Sequence, residues 1–346
     1  MNTRALYPLP MRRSLRLSVV LLWLLAFGVF ANAQAIEIDK DLPVYAPVPG
    51  AVSGDLKSIG SDTMSNMMAH WQESFQKFYP GVNLEVEGQG SATAPAGLIS
   101  GTADLGPMSR AMKRSEKDEF EARYKYKPTE LSVSIDMLAV YVHKDNPIKG
   151  LTLEQVDAIF SKTRRGGFER DIRTWGDAGL GGAWARQPLS VYGRNSASGT
   201  YGYFKTVALF KGDFKDSVKE QPGSSGVIQG VATDRRGIGY SGIGYKTPDV
   251  RIVPLSEDGD EFVTAAPEFA YSGDYPLARK LFLYINHKPN TKLDPLRREF
   301  IRYIFSRQGQ ADVVKAGYLP VTAKMAKKNL EKLGIPWPAP KTPKAR

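Results

Sequence analysis

Four segments of this chain follow one plan, in which a short apolar stretch leads into a turn of Gly, Ser and Thr and then into a helical pattern. These turns lie at 60–63, 88–93, 193–200 and 223–226. Strands that alternate with helices are typical of α/β folds, in which helices pack against the faces of a sheet. The length of 346 residues allows about two domains. We therefore predict an α/β protein with mixed sheets flanked by helices.

The rest of the chain favours the same class. Apolar residues at spacings of three and four predict a helix over 63–79, and strict alternation predicts a strand over 82–87. Thr152 and Gln155 have capping-box spacing and predict a helix at 153–160. Further strands are predicted at 56–60, 131–143, 189–192, 238–245, 250–254 and 277–286. Further helices are predicted at 92–101, 199–210, 294–306, 308–316 and 322–333.

The turns also indicate a chemistry. The first N–H groups of a helix have no partner within the helix, and the helix dipole places partial positive charge there. One such end is a weak anion site, whereas several that converge make a strong one. For each turn the alternative is ordinary helix capping by Ser, Thr or Asp. The third turn differs, because Arg194 lies four residues before Ser198, and a guanidinium beside a helix N-terminus suits a tetrahedral oxyanion.

Residues 1–33 have the three parts of a secretory signal peptide: arginines, an apolar run at 17–27, and small residues at Ala31 and Ala33. The alternative is an uncleaved membrane anchor, which needs about 20 apolar residues, and this run is shorter. We therefore predict cleavage after Ala33 and export of the mature protein, which the resemblance described below places in the periplasm. Residues 34–54, rich in Pro and Gly, are predicted to form an extended leader.

Composition excludes several chemistries. With no cysteine and three histidines, disulfides, thiolate metal sites and Cys nucleophiles are ruled out, and a multi-His metal site is disfavoured. No Gly-x-Ser-x-Gly elbow is present either. We expect no cofactor, no metal and no enzymatic activity. The formal net charge of +11 could steer small anions, but the basic residues are scattered, so we expect no nucleic-acid partner.

The motifs together resemble the periplasmic phosphate-binding proteins of ABC-type phosphate importers. The likeness runs over about residues 55–325, and Arg-Asn-Ser-Ala-Ser-Gly-Thr at 194–200 is its most specific part. The other matching segments are 60–63, 88–91, 104–110, 151–160 with Trp175, 237–240, 305–310 and 317–320. The resemblance implies a two-lobed periplasmic binding protein fold of type II, with crossing strands as the hinge.

The resemblance also implies a ligand, partners and a site. The ligand would be inorganic phosphate, the partner a membrane permease of an ABC importer, and the protein a monomer. The implied phosphate ligands are Asp62, Thr63, Ser91, Ser109, Arg110, Arg194, Ser198, Gly199 and Thr200. The implied lobes are 55–140 plus 282–346 and 141–281. An exported phosphatase, or a phosphate-binding surface or sensing protein on the same fold, remains the alternative.

Two positions depart from the family pattern. Ser109 occupies the place where many members have a carboxylate that accepts the proton of hydrogen phosphate, and Asp62 occupies a place where a hydroxyl is expected. Asp62 could supply the missing acceptor from the opposite wall, or it could simply be the N-cap of helix 63–79. Arg110 could add a second positive group or pair with a nearby acid.

Overall fold

The computed structural model describes residues 36–48, 50 and 52–338, so the predicted signal peptide and its cleavage after Ala33 lie outside the described residues. The strands in this part of the chain are β1 (Gly54–Ile59), β2 (Val82–Glu87), β3 (Gly106–Met108), β4 (Thr129–His143), β5 (Leu151–Thr152), β6 (Ser190–Arg194), β7 (Lys219–Gln221), β8 (Gly237–Gly242), β9 (Val250–Ile252), β10 (Leu255–Ser256) and β11 (Ala278–Ile285). The α-helices are α1 (Ser65–Gln76), α2 (Thr93–Ser100), α3 (Arg114–Tyr124), α4 (Leu153–Phe160), α5 (Gly199–Val207), α6 (Ser224–Thr233), α7 (Pro267–Ser272), α8 (Pro295–Ile304), α9 (Arg307–Lys315) and α10 (Ala323–Glu331). None of these helices is long and apolar enough to span a membrane.

A mixed sheet of seven strands joins most of the fold, in the order β3-β11-β4-β8-β6-β7 with β9 also on β4. The long strand β4 pairs antiparallel with β11, β8 and β9, whereas β6 pairs parallel with β7 and β8. The parallel pair β1–β2 and the short parallel pair β5–β10 lie outside it. This mixed arrangement with flanking helices confirms the predicted fold class.

Local sequence accounts for several boundaries. Thr152 and Gln155 form the predicted capping box at the start of α4, with reciprocal hydrogen bonds of 3.1 and 3.0 Å. Gly101 ends α2 in the left-handed conformation with φ of 77°, which costs glycine little. Strand β2 alternates buried and exposed residues along its first four positions, as its sequence predicts.

Three predicted elements differ in extent. The helix predicted over 63–79 begins as a 3-10 turn at Asp62–Met64 and becomes α-helical only over Ser65–Gln76. The helix predicted over 199–210 ends at Val207, because the chain turns at Phe210 and Lys211, both with positive φ. The strand predicted over 238–245 ends at Gly242 and continues as a 3-10 turn, Ile243–Tyr245.

Two large apolar cores lie on this framework. The first draws its residues from 42–133 and 281–335 and contains the fully buried Trp71. The second draws on 137–277 together with Leu319 and contains the fully buried Trp175. The change from one core to the other falls between Val133 and Met137 on β4. Where the chain returns to the first core, the change falls between Leu277 and Leu281, at the start of β11.

The leader packs on the first core. Tyr45 is buried, and its hydroxyl lies 3.1 Å from a Glu299 carboxylate oxygen and 3.2 Å from the Tyr79 hydroxyl. The Arg307 amide donates to the Pro43 carbonyl oxygen at 2.8 Å. The leader is therefore irregular in backbone but fixed in place by contacts with helices far along the chain.

Candidate functional site

The third turn brings a helix start beside a buried cation. Ser198 is the N-cap of α5, and its Oγ accepts from the Thr200 and Tyr201 amides at 3.1 and 3.3 Å. Capping thus satisfies two of the first amides. The Gly199 N–H precedes them and has no acceptor within its own helix. Hydroxyl capping and anion binding are therefore compatible at this turn.

Arg194 lies at the end of β6 and is almost fully buried, with 1% of its surface exposed. Its Nη1 donates to Ser224 Oγ at 2.7 Å and its Nη2 to the Pro222 carbonyl oxygen at 3.0 Å. Its Nε has no hydrogen-bond partner among the described residues. Burial lowers the pKa of the Arg194 guanidinium, and the charge of Asp62 opposes that shift. A buried cation with a free donor favours an additional anionic partner.

The wall behind Arg194 is aromatic. Its backbone amide donates to the Tyr240 hydroxyl at 3.1 Å. The Tyr240 ring stacks on Phe204 of α5 with centroids 3.9 Å apart and planes 6° from parallel. This stack joins the end of β6 to the helix that follows, so the guanidinium and the α5 N-terminus are held in a fixed relation.

Asp62 faces the third and fourth turns rather than its own helix. Its Oδ2 accepts from the Ser224 amide, the first of α6, at 2.7 Å and lies 3.1 Å from Arg194 Nη1. The N-cap of the 3-10 turn is Ser61, and neither that turn nor α1 has a side-chain cap. The expectation that Asp62 caps helix 63–79 is therefore wrong, because its carboxylate caps α6 instead.

Two hydroxyls meet where the first and third turns approach each other. Thr63 Oγ1 and Thr200 Oγ1 are both buried and lie 2.8 Å apart, within hydrogen-bond distance. The backbone of the first turn is held from behind, because the Tyr245 hydroxyl donates to the Asp62 carbonyl oxygen at 2.7 Å and the Tyr318 hydroxyl donates to that of Thr63. The Thr63 hydroxyl is thus presented to α5 by a fixed backbone.

The second turn closes against the third. The Ala92 amide donates to the Ala197 carbonyl oxygen at 3.1 Å. Ser91 Oγ, fully buried, accepts from the Ser109 amide at 3.0 Å and lies 3.3 Å from Ser109 Oγ. A side chain added at Gly199 would meet Ser91 Oγ at 2.3 Å. The two serines therefore lie directly against the start of α5.

Arg110 is engaged with an acid. Its guanidinium makes a bidentate pair with Glu116, at 2.8 and 2.6 Å. Burial alone would raise the pKa of Glu116, but the hydrogen bonds from Arg110 and from the Lys113 amide outweigh it, so the pKa is lowered. Of the two roles expected for Arg110, the structure places it in the ion pair, at the edge of α5 near Gly202.

Three further polar residues lie within this cluster and were not predicted. Ser224 Oγ accepts a hydrogen bond from Arg194. Asp136 and Arg279 form a buried ion pair, and Arg279 also donates a hydrogen bond to Thr200. Ser224 lies in the turn at 223–226 but is not among the ligands that the resemblance implies. Asp136 and Arg279 could have been found as opposite charges inside two apolar strands, since a charge buried there needs a partner. No group of three metal-binding side chains occurs in the described part of the chain.

Comparisons with known proteins show which family the chain resembles in sequence and fold. A family model described as a PBP superfamily domain matches residues 46–308. The phosphate-binding protein PstS of Pseudomonas aeruginosa is 52% identical over 311 residues, which cover 90% of this chain and 96% of that protein. PstS of Staphylococcus haemolyticus is 28% identical, over 82% of this chain and 86% of the relative.

A solved structure from Clostridium perfringens is described as a phosphate ABC transporter substrate-binding protein with bound phosphate. It is 26% identical to this chain, has a TM-score of 0.66, and matches 78% of this chain and 100% of its own. The fold is therefore that of the periplasmic binding proteins. The chain belongs to the PBP superfamily and, within it, to the family of phosphate-binding proteins named PstS.

Proposed function

We propose that this protein captures inorganic phosphate between two lobes and delivers it to the permease of an ABC importer. The observation that carries the proposal is the buried Arg194, whose Nε has no partner in the described part of the chain, beside the start of α5. A buried guanidinium and a helix N-terminus together match the charge and the shape of a tetrahedral oxyanion. Relatives that share the fold are named for phosphate binding.

The proposed ligands come from three turns. Arg194 supplies charge, and the Gly199 amide and the Ser198 and Thr200 hydroxyls supply donors from the third turn. Thr63 and Ser91 supply donors from the first and second turns. Ser109 adds a hydroxyl beside Ser91, and Asp62 supplies an acceptor. Arg110, through its pair with Glu116, shapes the rim.

The two lobes are proposed to be 55–140 plus 282–346 and 141–281, joined by β4 and β11. The separation of the two apolar cores supports this division, and it favours a crossing slightly before residue 140. Strands that pass between two cores can flex where they cross, which is the usual basis of hinge closure. The first and second turns already contact the third and fourth in this structure, and opening at the hinge would separate them.

Capture and release require no covalent chemistry. Backbone amides, hydroxyls and one guanidinium hold an oxyanion by hydrogen bonds and charge, and opening of the lobes releases it. We propose that the protein acts as a periplasmic monomer after removal of residues 1–33. The permease would then bind the closed form and favour reopening.

Calorimetry on the protein lacking residues 1–33 tests the function. We expect saturable, one-to-one binding of inorganic phosphate, weaker binding of sulfate, and no binding of a bulky organic phosphate, because the site is enclosed by four turns. The same sample should release no product from a chromogenic phosphate ester. Absence of phosphate binding would refute the proposal, whereas ester turnover would instead support the phosphatase alternative.

Asp62 is proposed to distinguish hydrogen phosphate from sulfate. A carboxylate can accept the proton of hydrogen phosphate, but it repels an oxyanion that has no proton to donate. We expect Asp62→Asn to narrow the ratio of phosphate to sulfate affinity by about 10-fold, the scale of one charged hydrogen bond. Titration of both anions measures this ratio. An equal loss of affinity for phosphate and sulfate would show that Asp62 only holds the first turn against the fourth.

A further inference from the structure

We propose that Arg279 is a positioning residue that orients the Thr200 hydroxyl toward the bound anion, and that Asp136 holds Arg279 in place. This inference rests on the proposed function and deepens it. Neither residue belongs to the four turns. Both lie in the two central strands beneath them, β11 and β4.

The two charges form a pair built into the sheet. Arg279 and Asp136 are direct partners in the antiparallel register of β11 and β4. Their side chains are 2% and 0% exposed, and Arg279 Nε and Nη2 reach Asp136 Oδ2 at 2.9 and 2.7 Å. Asp136 Oδ1 also accepts from the Ile243 amide at 3.1 Å. Burial of two charges is costly unless further hydrogen bonds compensate it, and both partners of this pair make such bonds.

The remaining donors of Arg279 reach both walls of the cleft. Its Nη2 donates to Thr200 Oγ1 at 2.9 Å, and its Nη1 donates to the Ser109 carbonyl oxygen at 2.9 Å. Its guanidinium also lies 5.4 Å from the centre of the Tyr203 ring of α5. One side chain therefore links the segment after β3 to the first turn of α5, at the place where these segments face each other.

The hydrogen bond from Arg279 limits the directions in which the Thr200 hydroxyl can donate its proton. A threonine hydroxyl has one proton and two acceptor positions. Because Arg279 occupies one acceptor position, the Thr200 proton is directed elsewhere. The hydrogen-bond partner on its other side is Thr63 Oγ1, 2.8 Å away on the opposite wall, and either hydroxyl of this pair can be the donor. An oxyanion that separates these two hydroxyls and accepts from Thr200 would receive this proton. Arg279 thus keeps the Thr200 proton pointed away from itself and toward the cleft, where an incoming anion can accept it.

Asp136 neutralises the charge of Arg279. A lone buried guanidinium would bind an anion for itself, whereas a paired one adds little net charge. Arg279 therefore acts through geometry. Arg194 also lies 3.1 Å from an acid, Asp62, but its Nε has no partner among the described residues, so it keeps a donor for the ligand. The prediction that follows concerns coupling: loss of Arg279 should matter only while Thr200 has a hydroxyl to orient.

A double-mutant cycle with phosphate calorimetry tests the proposal, using Arg279→Lys, Thr200→Val and the double variant beside the unmodified protein. Lysine keeps the charge opposite Asp136 but cannot make the fixed fork of hydrogen bonds. We expect Arg279→Lys to weaken phosphate binding about 10-fold alone and less than about 3-fold in the Thr200→Val background. A purely structural role predicts the same loss in both backgrounds, and that result would overturn the proposal.

A second variant covers the case in which Arg279→Lys does not fold. Replacing the buried pair with apolar residues, Asp136→Leu with Arg279→Met, removes both charges together, which is often neutral for stability. If this protein melts like the unmodified one, we expect the same loss of affinity and the same dependence on Thr200. Retained affinity would overturn the positioning role while leaving phosphate binding intact. Failure of the unmodified protein to bind phosphate would overturn both proposals.

Discussion

Replacement of Arg194 by Met is expected to weaken phosphate binding at least ~100-fold, the scale of removing one partner from a buried charged interaction. Methionine fills much of the same space but has neither charge nor donor. Arg194 is 1% exposed, and its Nε is unpartnered among the described residues, so the substitution removes both a buried charge and an unused donor. Phosphate calorimetry, with a thermal melt to confirm folding, measures the effect.

Arg110→Gln is the matched control for Arg194. It also removes a guanidinium close to α5, but one that is bound to Glu116 at 2.6 Å. We expect its phosphate affinity to stay within about 3-fold of the unmodified protein, because Glu116 already neutralises the Arg110 charge. Equal losses in both variants would show that general positive charge, and not the buried donor, attracts the anion.

Gly199→Ala is expected to weaken phosphate binding about 10- to 100-fold, the scale of overpacking by a methyl group. The new Cβ would lie 2.3 Å from Ser91 Oγ, 2.6 Å from Ser109 Oγ and 2.9 Å from Ser91 Cβ. Rotation of a hydroxyl cannot relieve the contact between the two carbons. The walls must therefore separate at the place where the anion would be enclosed. Calorimetry measures the loss, and small-angle scattering with phosphate present should report a more open form.

Gly202→Ala lies one turn further along the same helix and provides the control. A Cβ there would meet Arg110 Cδ at 3.5 Å, an ordinary contact. We expect unchanged phosphate affinity and a small gain in stability, about 0.5–1 kcal/mol, because alanine favours helix interiors over glycine. If both glycine variants bind phosphate normally, the close approach at Gly199 has no part in enclosure.

Much of the fold could be predicted because its patterns are local. Strand β2 and helix α4 begin and end where alternation and the capping box place them. Helix α3 was not predicted, because its sequence is charged almost throughout and only Phe120 is buried. A single apolar anchor gives no helical periodicity, so this helix depends on packing that local sequence does not reveal.

The site was predictable where one turn carries the chemistry and unpredictable where distant segments meet. Ser198 caps α5 as its position in the turn predicts. Asp62 is different: its acceptor role toward Ser224 joins positions 162 residues apart, and nothing in the first turn specifies that partner. The pairing of Asp136 with Arg279 likewise depends on strand register, which is settled by the assembled sheet.

The packing of the leader has a consequence for how the chain folds. Tyr45 bonds to Glu299 and Gln308, residues 254 and 263 positions away. The first apolar core therefore cannot be completed until the last third of the polypeptide is available, whereas the second draws almost entirely on one continuous stretch. Contacts so distant in sequence form slowly. Until the last third is available, the N-terminal part of the first core, with Trp71 and its neighbours, has its apolar surface uncovered. It needs protection from aggregation during this time.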